Sequence, residues 1–216
     1  MKRKEFNESY INARRELVRL DKNKKPPREG RDRLPPGQFE KDRMVAMPPI
    51  TSDYPRIGKS DWRLRIYGSV KNEKELDWND FLKLPSEKYI IDFHCVTHWS
   101  KLSQKFTGVP FEEILKLARP LASTKFVIFE CYDGYTTNLN LRELKENICF
   151  IAFEMDGKDI ETKFGGPARV IIPHLYAWKS AKFLKAIRFQ EKDEPGFWES
   201  RGYHNHGDPW KEERYS

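Results

Sequence analysis

The stretch DFHCVTHWSK, residues 92–101, gathers the side chains of this sequence best suited to chemistry. A strand-like run, KYIIDF, leads into Cys95, with His94 before it and His98 three residues after it. A buried thiol, a nucleophile, a zinc ligand and a ligand for a heavier metal are all open to Cys95. The Cys95/His98 pair has the CxxH spacing of zinc half-sites, and His204 and His206 in the tail could supply a second half. Against this, successive strand residues point to opposite faces, so His94 and Cys95 do not easily share one ion. A Cys-His hydrolase needs a base within hydrogen-bond reach of the thiolate. His98 is too close in sequence for that, and nothing in the sequence orients the remote His174.

A second dense region is KFGGPARVIIPHLYAWKSAKFLKAIRF, residues 163–189. Its Gly-Gly-Pro turn lets backbone approach something closely. Arg169 opens an apolar strand, and Lys179, Ser180 and Lys182 lie between Trp178 and Phe183. Cations and a hydroxyl held between aromatics suit a phosphate. A solvated turn with two exposed lysines is the competing reading. Neither Gly-rich nucleotide fingerprint occurs, which excludes a P-loop and a dinucleotide fold.

The elements that must position these residues are short. Strands are expected over DWRLRIYGSV, KYIIDFHC, KFVIFECYDG, CFIAFEMDGKDI, ARVIIP and AKFLKAIRFQ. Brief helices are expected over DWNDFLKL, with Asp77 as its N-cap, PFEEILKLA and LRELKE. The segment between residues 26 and 60 is too rich in Pro and charge for long elements, so it wraps the domain or lines a site. Residues 1–33 read as a charged surface extension with a short helix over YINARRELVRL, and 34–216 as one α+β, β-dominant domain. Hydrophobic residues make up only 38% of the 216, but 14 Phe, 9 Tyr and 6 Trp supply enough buried surface for a core.

The formal charge of +7 would suit an anionic cofactor or substrate, and no nucleic-acid module is present, so no nucleic-acid partner is expected. Cys95, Cys131 and Cys149 form no CxxC pair or disulfide framework, which fits a reducing compartment. The N-terminal residues lack the apolar core of a secretory signal, and no apolar run approaches the ~20 residues of a membrane span. A cytoplasmic protein is expected.

Taken together, DFHCVTHWSKLSQKFTGVPFEEIL and GGPARVIIPHLYAWKSAKFLKAIRF resemble the molybdopterin-binding domain of the sulfite oxidase family. The likeness is closer to its small stand-alone prokaryotic members, and to the methionine-sulfoxide reductase catalytic subunit, than to animal sulfite oxidase. It covers roughly residues 34 to 214 and includes RLPPGQ and the tail FWESRGYHNHGDPWKEERY. The resemblance implies that Cys95 is the single protein ligand to molybdenum, or to tungsten in its place, on plain molybdopterin. It implies that Arg169, Ser180, the backbone around Ala181, and Lys182 hold the pterin and its phosphate, with Lys179 and Cys131 as further cofactor contacts. Phe164 stands where some members have a polar residue on the pterin, and Thr97 where the reductase subunit has a glutamate.

The same resemblance implies a molybdenum oxidoreductase that transfers an oxygen atom to or from a small substrate, in sulfoxide-type reduction or sulfite-type oxidation. HCVTHWSK lacks an arginine just after the ligand, which argues against a good sulfite site; Arg43, Tyr54, Tyr135, Tyr203 and His204 are residues that could still reach the centre. With no haem-attachment CxxCH and no iron–sulfur cysteine set, electrons must come from a separate partner. A zinc-stabilised domain using Cys95, His98, His204 and His206, without redox chemistry, is the competing class.

Overall fold

The computed structural model describes residues 6–20 and 33–216. In chain order the elements are α1 (Glu8–Leu20), β1 (Phe39–Glu40), β2 (Arg63–Gly68), β3 (Lys74–Asp77), α2 (Trp78–Leu82), β4 (Glu87–His94), β5 (Trp99–Pro110), α3 (Phe111–Ala118), β6 (Phe126–Cys131), β7 (Thr136–Asn140), α4 (Leu141–Glu146), β8 (Phe150–Met155), β9 (Lys158–Asp159), β10 (Arg169–Ile171) and β11 (Leu184–Gln190). They build two mixed sheets, so the expected β-dominant α+β class holds. One sheet runs β3–β2–β11–β6–β7. The other runs β1–β5–β8–β10, with β4 on β5 and β9 on β8.

Side-chain alternation explains which face of each strand is buried. In β2, Leu64 and Ile66 are buried while Arg63 and Arg65 face outward. Helix α2 starts where expected, because the Asp77 carboxylate accepts the Asp80 N–H at 2.8 Å. Helix α3 lays Phe111, Ile114 and Ala118 on the core, the i, i+3, i+7 face of an amphipathic helix.

Two expectations need correction. The first concerns β5, a twelve-residue strand that the sequence reading left unassigned. Its run WSKLSQKFTGVP is polar and contains glycine, so its β-propensity is weak. Pairing supplies the missing stability: β4 and β8 flank it antiparallel and β1 pairs its start in parallel. Gln104, Phe106 and Gly108 alternate inward, and a Cβ at Gly108 would lie 2.7 Å from the Ile151 carbonyl oxygen.

The second concerns α1, which is not a surface extension. Ile11 and Val18 are 1% exposed and belong to the main core cluster. Asn7 caps the helix by accepting the Tyr10 N–H at 3.0 Å. The Asn7 N–H bonds the Ile50 carbonyl, and the Tyr215 hydroxyl donates to the Arg15 carbonyl at 2.7 Å. The helix is therefore tied both to the wrapping segment and to the tail. The rest of the expected extension, residues 1–5 and 21–32, lies outside the described residues.

At the centre of the fold, Glu199 accepts three hydrogen bonds at one oxygen. Lys179 Nζ lies 2.6 Å from it, Thr137 Oγ1 2.8 Å and Trp178 Nε1 3.1 Å. Both charged side chains of the pair are buried. Lys179 also donates to the Asn138 carbonyl at 2.9 Å. A buried pair of this kind is costly to break from one side, because the remaining charge is left uncompensated.

Two stability changes are expected. Ile11→Ala should destabilise the full chain by about 2 kcal/mol or more in chemical denaturation; unchanged stability would remove α1 from the core. Glu199→Gln should cost about 3–5 kcal/mol, since Lys179 stays buried without its counter-charge; a loss near zero would show that water or another group neutralises it.

Candidate active site

Cys95 sits in the tight turn that joins β4 to β5. The His98 N–H donates to the Cys95 carbonyl at 3.1 Å, and the Cys95 N–H to the Trp99 carbonyl at 2.8 Å. His98 adopts φ +68°, the left-handed conformation that glycine tolerates best. Its Nδ1 donates to the Gly37 carbonyl at 3.0 Å, which holds the strained residue in place. Both chain ends clamp the turn from outside. Gln38 Nε2 donates to the Cys95 carbonyl at 3.1 Å, and Arg214 Nη1 to the Val96 carbonyl at 2.7 Å. The Ser100 hydroxyl donates to Gln38 Oε1, so His94 Nδ1–H donates to Ser100. Burial pushes His94 down to about 4, so it serves this chain as a neutral ring.

The Cys95 side chain faces a cavity of about 630 Å³, its mouth included. Thr97 Oγ1 lies 3.1 Å from the sulfur. The wrapping segment forms one wall with Met44, Met47 and Ile50. Phe93, Trp99 and Phe164 add apolar surface.

Arg169, Ser180 and Lys182 line the same cavity. Arg169 is 4% exposed. It donates to the Phe164 carbonyl at 2.6 Å and to the Ser180 carbonyl at 3.0 Å, while its Nε has no partner. Burial pushes it down to about 10. Ser180 Oγ accepts the Ile172 N–H at 2.9 Å, which leaves its own proton available. Lys182 donates to the Met47 carbonyl. Burial, then the neighbouring Arg169 and Arg14, push it down to about 7. The glycine turn makes this packing possible: Gly165 has φ +105°, and a Cβ there would lie 2.6 Å from Lys182 Cγ.

Most of the other expected site residues lie outside the cavity lining. Lys179 does not line the cavity, because its ammonium is turned into the Glu199 pair. The Ala181 N–H is engaged with the Lys179 carbonyl at 3.1 Å, and its carbonyl accepts the Val170 N–H. Cys131 is buried at the end of β6, outside the cavity lining, and burial pushes its thiol well above the ordinary range. Tyr135 lines the cavity, but its hydroxyl donates to the Trp178 carbonyl. Arg43 is exposed and outside the lining. Tyr54 packs its ring against Phe183.

The zinc reading fails on geometry. Among the described residues no group of three or more His, Cys, Asp or Glu side chains could hold a metal ion. Both ring nitrogens of His206 face carboxylates, Glu143 at 2.6 Å and Glu213 at 2.7 Å. The hydrogen bond to Glu143, with that to Glu213, pushes it up to about 9, so it is a cation rather than a ligand. His204 Nδ1 accepts the N–H groups of His206 and Gly207. His174 faces Glu143 at 3.1 Å, which also removes the hydrolase base.

The sequence reading missed three charged lining residues, Arg14, Asp133 and Lys163. For Arg14 the signal was present: Ile11, Arg14 and Val18 fall at i, i+3 and i+7, so α1 carries an arginine on its buried stripe.

Comparison with known proteins agrees with this geometry. The family described as oxidoreductase molybdopterin binding domain matches residues 51–198. An uncharacterized oxidoreductase of Bacillus subtilis, YuiH, is 34% identical over 82% of this chain and 96% of its own length. The protein-methionine-sulfoxide reductase catalytic subunit MsrP of Burkholderia mallei is 28% identical over 68% of this chain. The match spans only 49% of that subunit. The sulfane dehydrogenase SoxCD of Paracoccus pantotrophus shares the fold, with a TM-score of 0.61 and 17% identity over 70% of this chain and 43% of that one. A match over more than half of its length, to a cavity built around one cysteine, places the chain in the oxidoreductase molybdopterin binding domain family, as a sulfite oxidase-like oxidoreductase whose cofactor is molybdopterin with molybdenum.

Proposed function

We propose that this cavity transfers an oxygen atom to or from a small substrate, with Cys95 as the protein ligand of the metal and a separate protein or small carrier exchanging electrons. One observation carries the reading. The Cys95 sulfur faces the same cavity as Arg169, Ser180 and Lys182, and the buried Arg169 Nε has no partner. A buried donor without a partner is costly, so a ligand group belongs there. A thiolate is a soft donor suited to such a metal. When bound, the cofactor supplies a two-electron centre that exchanges oxygen.

The chain's own residues hold and shape that centre. Arg169, Lys182 and the Ser180 hydroxyl are the donors for the pterin and its phosphate. The Thr97 hydroxyl donates to the Cys95 thiolate and so tunes it as a ligand. Met44, Met47 and Trp99 give the cavity apolar walls. Tyr135 is committed to a carbonyl, so it supplies no proton to the reaction. The three cysteines are free thiols, which supports a cytoplasmic location. Among the described residues no helix is long and apolar enough to cross a membrane.

Cys95→Ser should lower oxygen-atom transfer by about 100-fold or more and abolish the sulfur-to-metal absorption, while pterin fluorescence is retained. Full activity in that variant, on sulfoxide and sulfite substrates assayed with redox dyes, would remove Cys95 from the site.

Lys182 sets a pH dependence on phosphate binding. In the free cavity it loses its proton above about pH 7. A bound phosphate favours the protonated form, so binding takes up a proton above that pH. The affinity of cofactor-free protein for inorganic phosphate should therefore fall, by up to about tenfold per unit, as pH rises from about 7.5 to 9. Lys182→Met should flatten the profile, and a slope that persists in the variant would assign it to another group.

A further inference from the structure

We propose that the free edge of β4 is the docking surface for a second copy of this chain, which pairs with it antiparallel about Ile90 and joins two six-stranded sheets into one. This goes beyond the oxygen-transfer reading and does not depend on it.

The ladder of β4 (Glu87–His94) runs to β5 alone, so β4 is an edge of its six-stranded sheet. At its end the His94 carbonyl accepts the Ala177 N–H at 2.8 Å. Among the described residues no other main-chain bond outside the ladder reaches residues 87–93. Alternate residues of an antiparallel strand turn their N–H and C=O groups away from the partner, so β4 presents a row of unpaired donors and acceptors. The edges of the other sheet are shorter or covered. β3 has four residues, and the Thr136 carbonyl of β7 accepts the Phe197 N–H at 2.9 Å. No Pro or Gly interrupts β4, and its one bulge lies late, between Ile91 and Phe93.

The side chains of β4 fit a second copy. Ile90 is 68% exposed, more than any other large apolar side chain among the described residues. Lys88 and Asp92 flank it on the same outer face, two residues to either side. Antiparallel pairing about Ile90 sets it against Ile90 of the second copy, and sets each Lys88 against Asp92 of the other chain. Asp92 already accepts Arg33 Nε at 2.8 Å and the Ser103 N–H at 2.9 Å. A carboxylate has about four acceptor sites, so Asp92 still has room for the lysine. On the inner face the same operation sets Tyr89 against Ile91. A slip of two residues in either direction puts Ile90 against a charge, and in-register parallel pairing puts Lys88 beside Lys88. The charge pattern therefore selects a two-fold contact, the form that closes a homodimer. Cys95 lies five residues from the axis, about 16 Å at ~3.3 Å per residue, so each copy keeps its own cavity.

The test is the mass in solution of the full-length protein, purified from a cofactor-competent host and measured by sedimentation equilibrium at micromolar concentrations. The wild type should be a dimer. Ile90→Lys, which sets two ammonium groups against each other on the axis, should weaken the dimer by about tenfold or more. Lys88→Glu, which sets a carboxylate against each Asp92, should weaken it too. Both positions are exposed, so circular dichroism should match the wild type. Ile90→Cys should form a disulfide between copies under mild oxidation, because directly opposite Cβ atoms lie about 4.5–5.5 Å apart. Leu82→Cys, exposed on α2, should not. The three native cysteines are buried, so the cross-link reports position 90. A monomeric wild type overturns the proposal, whether the edge is bare or holds a strand of another protein. So does a dimer that both charge variants leave intact, or one in which Ile90→Cys cross-links no better than Leu82→Cys. Should one charge variant fail to fold, the other and the cross-link decide.

Discussion

The buried Lys179–Glu199 pair is the constraint from which the arrangement of the cavity follows. Lys179 lies in an irregular loop with no ladder to fix which way its side chains point. The ion pair fixes it instead. With Lys179 and the Trp178 indole N–H drawn to Glu199, Ser180 and Lys182 line the cavity. Thr137 ties the same carboxylate to β7, so the loop is referenced to a sheet. The tail then closes over it: the Tyr176 N–H donates to the Gly207 carbonyl at 2.8 Å. A Cβ at Gly207 would meet the Trp178 ring at 2.7 Å, so only glycine permits that approach. The net gain in stability from such a pair is modest, and its value is that it specifies one orientation.

A second consequence is that the site has contributions from both ends of the described chain. The Cys95 turn is short and left-handed at His98, and short strained turns persist only when their surroundings hold them. Gln38 and Arg214 do so through main-chain carbonyls, so neither needs to reach the sulfur. The wrap, in turn, is coupled to the other wall by the hydrogen bond from Lys182 to the Met47 carbonyl. The Cys95 turn, the cation patch and the wrapping segment are therefore joined in one hydrogen-bonded network.

Much of the site was legible in the sequence because its chemistry is local. Cys95 stands out at the end of a strand, and Arg169, Ser180 and Lys182 stand out between a glycine turn and an apolar strand. What failed was direction. Lys179 and Lys182 are equivalent in composition, and only the distant Glu199 separates them. Cys131 ends a strand as Cys95 does, but the neighbours that leave it outside the cavity come from other elements. In the fold, β5 was invisible because its stability is conferred by partners on both edges rather than by its own side chains. Elements whose burial pattern is strong, such as α3 and β2, were read correctly because burial of their apolar face decides their conformation.

Helix α1 shows how composition can hide a buried element. The segment is rich in charge, and a charged segment at a chain end reads as solvated surface. Yet a thirteen-residue helix needs only a few apolar side chains on one stripe to dock, and Ile11 and Val18 suffice here. Once those two positions are accepted as buried, the residue between them on the same stripe must be buried too. That residue is Arg14, and a charge forced inward by its own helix face requires either a counter-ion or a ligand. The periodicity of eight residues therefore puts a cation on the wall of the cavity, which the buried Asp133 also lines.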